Sequence, residues 1–127
     1  MREVQVLIVD DSSVMRKIVE RSLRQAGIDS LVVFEAGSGV EGLEISKSRK
    51  LDLILSDINM PSMDGLEFVR QLRSRQVAVG VPVVMITTES SEEHVKQAIQ
   101  AGAMGYIRKP FTADQVKQRV LSLLPAN

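Results

Sequence analysis

Short apolar runs and longer amphipathic segments alternate along the whole chain. Residues 4–9, 31–34, 51–55, 81–86 and 104–107 are rich in β-branched residues or leucine and are predicted to be strands. Between them, apolar residues recur at three- and four-residue spacing: Val14, Met15, Ile18, Val19 and Leu23, then Leu66, Val69 and Leu72, and finally Val116, Val120, Leu123 and Leu124. That spacing predicts helices with one buried face. Four helix starts carry a capping pair three residues apart, Ser38 with Glu41, Asp64 with Glu67, Ser90 with Glu93 and Thr112 with Gln115. Gly27, Gly102 and Pro125 supply stops after the first, fourth and last helices. The pattern is a strand and helix repeated five times. It implies an α/β sandwich of three layers, with a five-stranded parallel sheet covered on both faces, because 6–9 and 53–55 are continuously apolar instead of alternating.

A length of 127 residues with 44% hydrophobic and 25% charged positions is that of one ordinary globular domain, expected to span 1–127. Sixteen basic residues balance sixteen acidic ones, so no broad positive field exists to hold nucleic acid or an anionic membrane. Cysteine is absent, which excludes disulfides, thiolate metal sites and a thiol nucleophile. The first apolar run is far too short for a membrane span or the core of a signal peptide. A cytoplasmic protein is expected.

In an open α/β sheet, ligands sit beyond the carboxyl ends of the strands. Asp10 and Asp11 follow the first predicted strand, Asp57 the third, Thr87 and Thr88 the fourth, and Lys109-Pro110 the fifth; Glu35-Ala36-Gly37 after the second carries less obvious chemistry. Any one of these has an ordinary structural use, as a turn residue, a cap or a solvated charge. Together they occupy one edge of the sheet. Carboxylates brought close repel by about 4 kcal/mol per pair at 4 Å and an effective dielectric of 20, so a cation is required among them. Hard oxygen donors suit Mg²⁺, which commonly completes its shell with water and a phosphate oxygen. Lys109 and Thr87 would then surround a phosphoryl group, and one carboxylate would accept it as an aspartyl phosphate.

At these residues the sequence resembles the receiver domain of two-component response regulators, and within that family the single-domain chemotaxis (CheY-type) regulators. The carriers are Val9-Asp10-Asp11-Ser12, Asp57-Ile58-Asn59-Met60-Pro61 with Asp64-Gly65, Thr87 after an apolar strand, and Lys109-Pro110-Phe111. The resemblance implies a flavodoxin-like fold with strand order 2-1-3-4-5 and phosphorylation of Asp57 by a histidine kinase. It implies Mg²⁺ held directly by Asp11, through water by Asp10, and by Asp57 and the backbone carbonyl of Asn59. Lys109, joined to Pro110 by a cis bond, would pair with the phosphoryl group, Thr87 would move to hydrogen-bond it, and Tyr106 would turn inward as the switch.

Softer likenesses to the chemotaxis type are Met15-Arg16-Lys17-Ile18, Tyr106 three residues before Lys109, and Asn59 and Glu89, two residues beyond Asp57 and Thr87. In the family those last two positions tune loss of the phosphoryl group; Thr88 departs from the small Ala or Gly often found directly after the switch threonine. The output surface would comprise the fourth helix, fifth strand and fifth helix, with Glu93, Lys96, Gln97, Tyr106, Lys117 and Gln118 as candidates. Its partner would be a downstream protein such as a flagellar motor component, with a phosphatase as a further possible partner. His94, the only histidine, is expected on the surface and outside the phosphotransfer chemistry. The expected function is a binding switch and not an enzyme, its only chemistry being gain and loss of its own phosphoryl group. A phosphate shuttle or sink in a relay is the alternative use. A flavodoxin-like enzyme fits poorly because Asp10-Asp11 would repel a flavin phosphate, and an aspartyl-phosphate hydrolase because its nucleophile follows the first strand in an Asp-x-Asp setting.

Overall fold

The computed structural model describes residues 3–28, 30–88 and 92–124. Five strands, β1 (Val4–Val9), β2 (Leu31–Ala36), β3 (Leu53–Asp57), β4 (Val83–Thr87) and β5 (Gly105–Arg108), alternate with five helices. These are α1 (Ser13–Gln25), α2 (Gly39–Ser48), α3 (Gly65–Ser74), α4 (Glu92–Ala101) and α5 (Ala113–Val120), the last tightening into a 3₁₀ turn over Leu121–Leu123. All pairings are parallel and the strand order is β2-β1-β3-β4-β5. This is the flavodoxin-like (βα)₅ fold.

Successive strand residues face opposite layers. Val6, Ile8, Leu53, Leu55, Val84 and Ile86 pack with Val19 and Leu23 of α1 and Val116 and Val120 of α5. Leu7, Val9, Ile54, Val83 and Met85 pack instead with Leu43 of α2, Phe68 and Leu72 of α3 and Ala98 of α4. Both faces of the sheet are therefore buried, which is why its central strands read as continuous apolar runs.

Strand boundaries differ from the apolar runs in one consistent way. Leu51 is buried and Val81 half-buried, but both lie ahead of the hydrogen-bonded ladders. At the other end, the ladders continue through Glu35-Ala36, Ser56-Asp57, Thr87 and Arg108, residues whose polarity had excluded most of them from the apolar runs. The strands thus run on into the functional edge. A second correction concerns α1: Val14 and Ile18 are 69% and 43% exposed, and the buried stripe is Val19, Ser22 and Leu23 with Met15 at its margin. Two apolar rows lie side by side on this helix, and spacing alone does not say which one meets the sheet. A third is that Leu123 and Leu124 lie beyond α5 and are half-buried there.

Side-chain oxygens of Ser38, Asp64 and Thr112 accept from the backbone N–H three residues on, and Thr112 with Gln115 forms the full reciprocal box. Gly27 and Gly102 take φ of +100° and +115° just past α1 and α4, the left-handed stop that suits glycine. The Ser90 cap and Pro125 stop lie outside the described residues. His94, expected on the surface, is half-buried on α4.

Candidate phosphoacceptor and metal site

The site is assembled from the ends of three strands. The N–H of Asp10 donates to Ala36 O at 3.0 Å, carrying the β1–β2 pairing one residue past β1. Its Oδ1 then accepts from the N–H of Ser12 at 2.9 Å, and Ser12 in turn caps α1 by accepting from Met15 N at 3.2 Å. A chain leaving a strand and entering a helix within three residues therefore turns on Asp10 itself, leaving Asp11 exposed at the mouth. Asp57 ends β3 with 8% exposure, its Oδ1 accepting from Asn59 N at 3.3 Å. Lys109 follows β5, and its N–H donates to Thr87 O at 2.8 Å, which ties the ends of β4 and β5 together.

These elements bring the predicted residues into contact. Carboxylate oxygens of Asp10, Asp11 and Asp57 lie within 4.8 Å of one another. Lys109 Nζ sits between two of them, 3.2 Å from Asp10 Oδ2 and 3.4 Å from Asp57 Oδ2. One ammonium against three carboxylates leaves a local excess of negative charge. Burial holds the Asp57 carboxyl above its ordinary pKa, with Lys109 opposing the shift and the like charge of Asp10 adding to it. The donor set is entirely hard oxygen and opens to solvent at Asp11, which fits a divalent ion such as Mg²⁺ that keeps several waters.

The remaining residues occupy graded positions. Thr87 is buried at the end of β4, Asn59 is exposed, Met60 is buried beneath the loop, and the Lys109-Pro110 bond is cis. Tyr106 is half-buried, with the guanidinium carbon of Arg119 5.6 Å from its ring centroid, so that a cation–π contact ties β5 to α5. Glu89 lies outside the described residues.

Gly65 is fixed by the site's own backbone. A Cβ there would overlap the carbonyl oxygen of Asp57 and approach Ile58 Cα to 2.8 Å, while Gly65 N donates to Ile58 O at 2.8 Å. The start of α3 is thus pinned against the end of β3, and the obstacle is backbone that cannot rotate away. Gly65→Ala is expected to cost on the order of 3 kcal/mol, the upper part of the overpacking range. A lowered urea midpoint with unchanged slope checks it; an unchanged midpoint contradicts this reading of the contact.

Two residues beside the site enter the sequence reading only within the Met15-Arg16-Lys17-Ile18 likeness, with no role given to either. Arg16, on α1, donates from Nη1 to the carbonyl of Asp10 at 2.6 Å and from Nε to Glu35 Oε1 at 3.0 Å; Lys17 donates to Glu35 Oε2 at 2.9 Å. Hydrogen bonds from Lys17 and then Arg16 hold the Glu35 carboxyl below its ordinary value. The available signal was Glu35 itself, a charge at the end of a strand that needed a partner.

Residues 6–121 match the family model of the response regulator receiver domain. The chain belongs to the response regulator receiver family. It is 39% identical to chemotaxis protein CheY-3 of Vibrio cholerae over 119 residues, covering 94% of this chain and 90% of that protein. With a chemotaxis protein CheY homolog of Campylobacter jejuni it shares 38% identity over 122 residues, 95% of this chain and 92% of the relative. Among solved structures, V. cholerae CheY4 superposes with a TM-score of 0.86 at 35% identity, covering 97% of this chain and all of that one. The receiver domain of the putative response regulator NarL from Mycobacterium tuberculosis gives 0.84 at 32%, covering 96% of each chain. This receiver is of the CheY type, a class of signalling switches in two-component systems.

Proposed function

We propose that the chain, as a single receiver domain, accepts a phosphoryl group on Asp57 from a histidine kinase and thereby switches the surface formed by α4, β5 and α5. The observation that carries this reading is the convergence of Asp10, Asp11 and Asp57 within 4.8 Å, with Lys109 bridging two of them. An Asp57 carboxylate oxygen attacks phosphorus, the bond from phosphorus to the kinase imidazole nitrogen breaks, and its electron pair returns to that nitrogen. Asp10, Asp11, Asp57 and the carbonyl of Asn59 would hold Mg²⁺, which when bound supplies positive charge to the oxygens of the transferring group. Lys109 exchanges its ion pair with Asp57 for one with the new phosphoryl oxygen, and the Thr87 hydroxyl donates to another.

Tyr106 on β5 carries the change outward. Half-buried and under Arg119, it lies between the core and the surface on which Lys96, Gln97, Lys117 and Gln118 stand. The relatives named as chemotaxis proteins support chemotaxis as the pathway; in this reading the protein is cytoplasmic and its target is a flagellar motor component.

Intact-mass measurement with acetyl phosphate, followed by pull-down with and without beryllofluoride, tests this. One phosphoryl group added in Mg²⁺ and none in chelator, with target capture enhanced by beryllofluoride, is expected. No modification would overturn the assignment, and modification without enhanced capture would favour a relay shuttle.

A further inference from the structure

Asp10 reaches the site along a path that its own strand does not fully constrain. After β1, the backbone must turn into α1 within three residues while sending the Asp10 carboxylate inward to Lys109 and leaving Asp11 exposed beside it. The peptide linking the two aspartates governs how their carboxylates diverge. Its oxygen, the Asp10 carbonyl, accepts the 2.6 Å bond from Arg16 Nη1. Arg16 is in turn oriented by Glu35 through Nε, so one planar guanidinium spans a strand end and the neighbouring turn. Glu35 stands opposite Ile8 in the β1–β2 register, so this anchor belongs to the sheet and not to a mobile side. Glu35 also neutralises the Arg16 charge, so that a cation is accommodated here without opposing the divalent ion next to it.

We infer that Arg16, braced by Glu35, is a positioning residue that orients the Asp10–Asp11 peptide and thereby sets the Mg²⁺ affinity of the site. The inference rests on the proposed metal and phosphoryl chemistry above. Its sign separates it from simple electrostatics. Removing a positive charge near a cation site tightens binding by Coulomb attraction, whereas loosening the ligands weakens it. Lys17 provides the matched control, because it pairs with the same Glu35 carboxylate without touching the Asp10 carbonyl.

Isothermal titration with Mg²⁺ alone, on the full chain, tests the idea, with thermal unfolding in chelator recorded for each variant. Arg16→Ala is expected to weaken Mg²⁺ binding about tenfold, the lower end of the usual effect of a group that orients metal ligands. Arg16→Lys, which keeps the charge but loses the fork, should restore only part of that loss, and Glu35→Gln should fall between wild type and Arg16→Ala. Lys17→Ala should stay within about twofold of wild type, since it leaves the peptide held. Should Arg16→Ala fail to fold, Arg16→Lys and Glu35→Gln carry the comparison. Binding in these variants as tight as wild type, or an equal loss in Lys17→Ala, would overturn the positioning role. A wild type that binds no Mg²⁺ at all would overturn the underlying metal reading instead.

Discussion

Asp57→Asn is expected to abolish covalent phosphorylation while making the metal-free protein more stable. The first effect follows from chemistry: a neutral amide has no carboxylate oxygen to attack phosphorus, although it keeps the shape of the side chain. The second follows from the site's charge. Burial raises the Asp57 carboxyl above its ordinary pKa in the folded state, so the native protein holds that proton more tightly than the unfolded chain does. The associated stability is present below the ordinary carboxylate pKa and is lost as pH rises through the higher folded value. At neutral pH the ionised group is therefore a net cost, which the amide removes. A gain on the order of 1 kcal/mol corresponds to a rise of roughly 4 °C in Tm for a domain of this size. The difference should shrink as pH falls into the carboxylate range. Mg²⁺ at a hundred times its Kd should reverse the order, since it then stabilises the state that binds it by about 2.7 kcal/mol. Thermal unfolding with chelator or Mg²⁺, across pH, checks all three parts. Phosphorylation of Asp57→Asn, or a lower Tm in chelator, would contradict the assignment.

The same residue shows why the site was more legible in sequence than the helix faces were. Asp10, Asp11, Asp57 and Lys109 are placed by topology: each ends or closely follows a strand, parallel strands end at one edge, and no side-chain detail is needed to bring them together. Choosing between the Val14–Ile18 row and the Val19–Leu23 row of α1 depends on how the helix is rotated against the sheet, which the β1–α1 turn decides. That turn is set by Asp10 accepting from Ser12, and by Arg16 holding the Asp10 carbonyl. The role of Arg16 escaped notice for a related reason. Its partners are a backbone oxygen, which carries no letter in the sequence, and a glutamate on another strand. Gly65 was visible as a letter, but its cause, a Cβ with no room beside the Asp57 carbonyl, exists only in three dimensions.

Lys109→Ala is expected to uncouple two properties that usually move together, lowering metal-free stability while tightening Mg²⁺. The ammonium lies between Asp10 Oδ2 and Asp57 Oδ2 and is largely shielded from solvent. Without it the two buried carboxylates face one another uncompensated, a loss on the order of 3 kcal/mol by analogy with other buried pairs broken on one side. A divalent ion then meets no resident cation, and its affinity should rise about tenfold, equivalent to about 1.4 kcal/mol of repulsion relieved. Phosphorylation at Asp57 should survive, because the proposed nucleophile and metal ligands remain. The switch should be weaker. Driving a two-state equilibrium from 1:99 to 99:1 takes about 5.5 kcal/mol of differential interaction, and a hydrogen bond to a charged group contributes about 1.5–3 kcal/mol of such a sum. In the proposed mechanism Lys109 would supply that contact next to β5, where its N–H already holds Thr87 O and where Tyr106 lies three residues earlier. Losing that much from a 99:1 balance leaves between about 8:1 and 1:2, so the switched fraction of phosphorylated molecules should fall to between roughly 90% and 40%. Anisotropy titration of a labelled target peptide, with and without beryllofluoride, reads this directly: wild type gains affinity and Lys109→Ala gains less, by up to about 2.5-fold. An undiminished gain would separate Lys109 from the coupling, and weaker Mg²⁺ binding would show that the ammonium organises the carboxylates instead of competing for them.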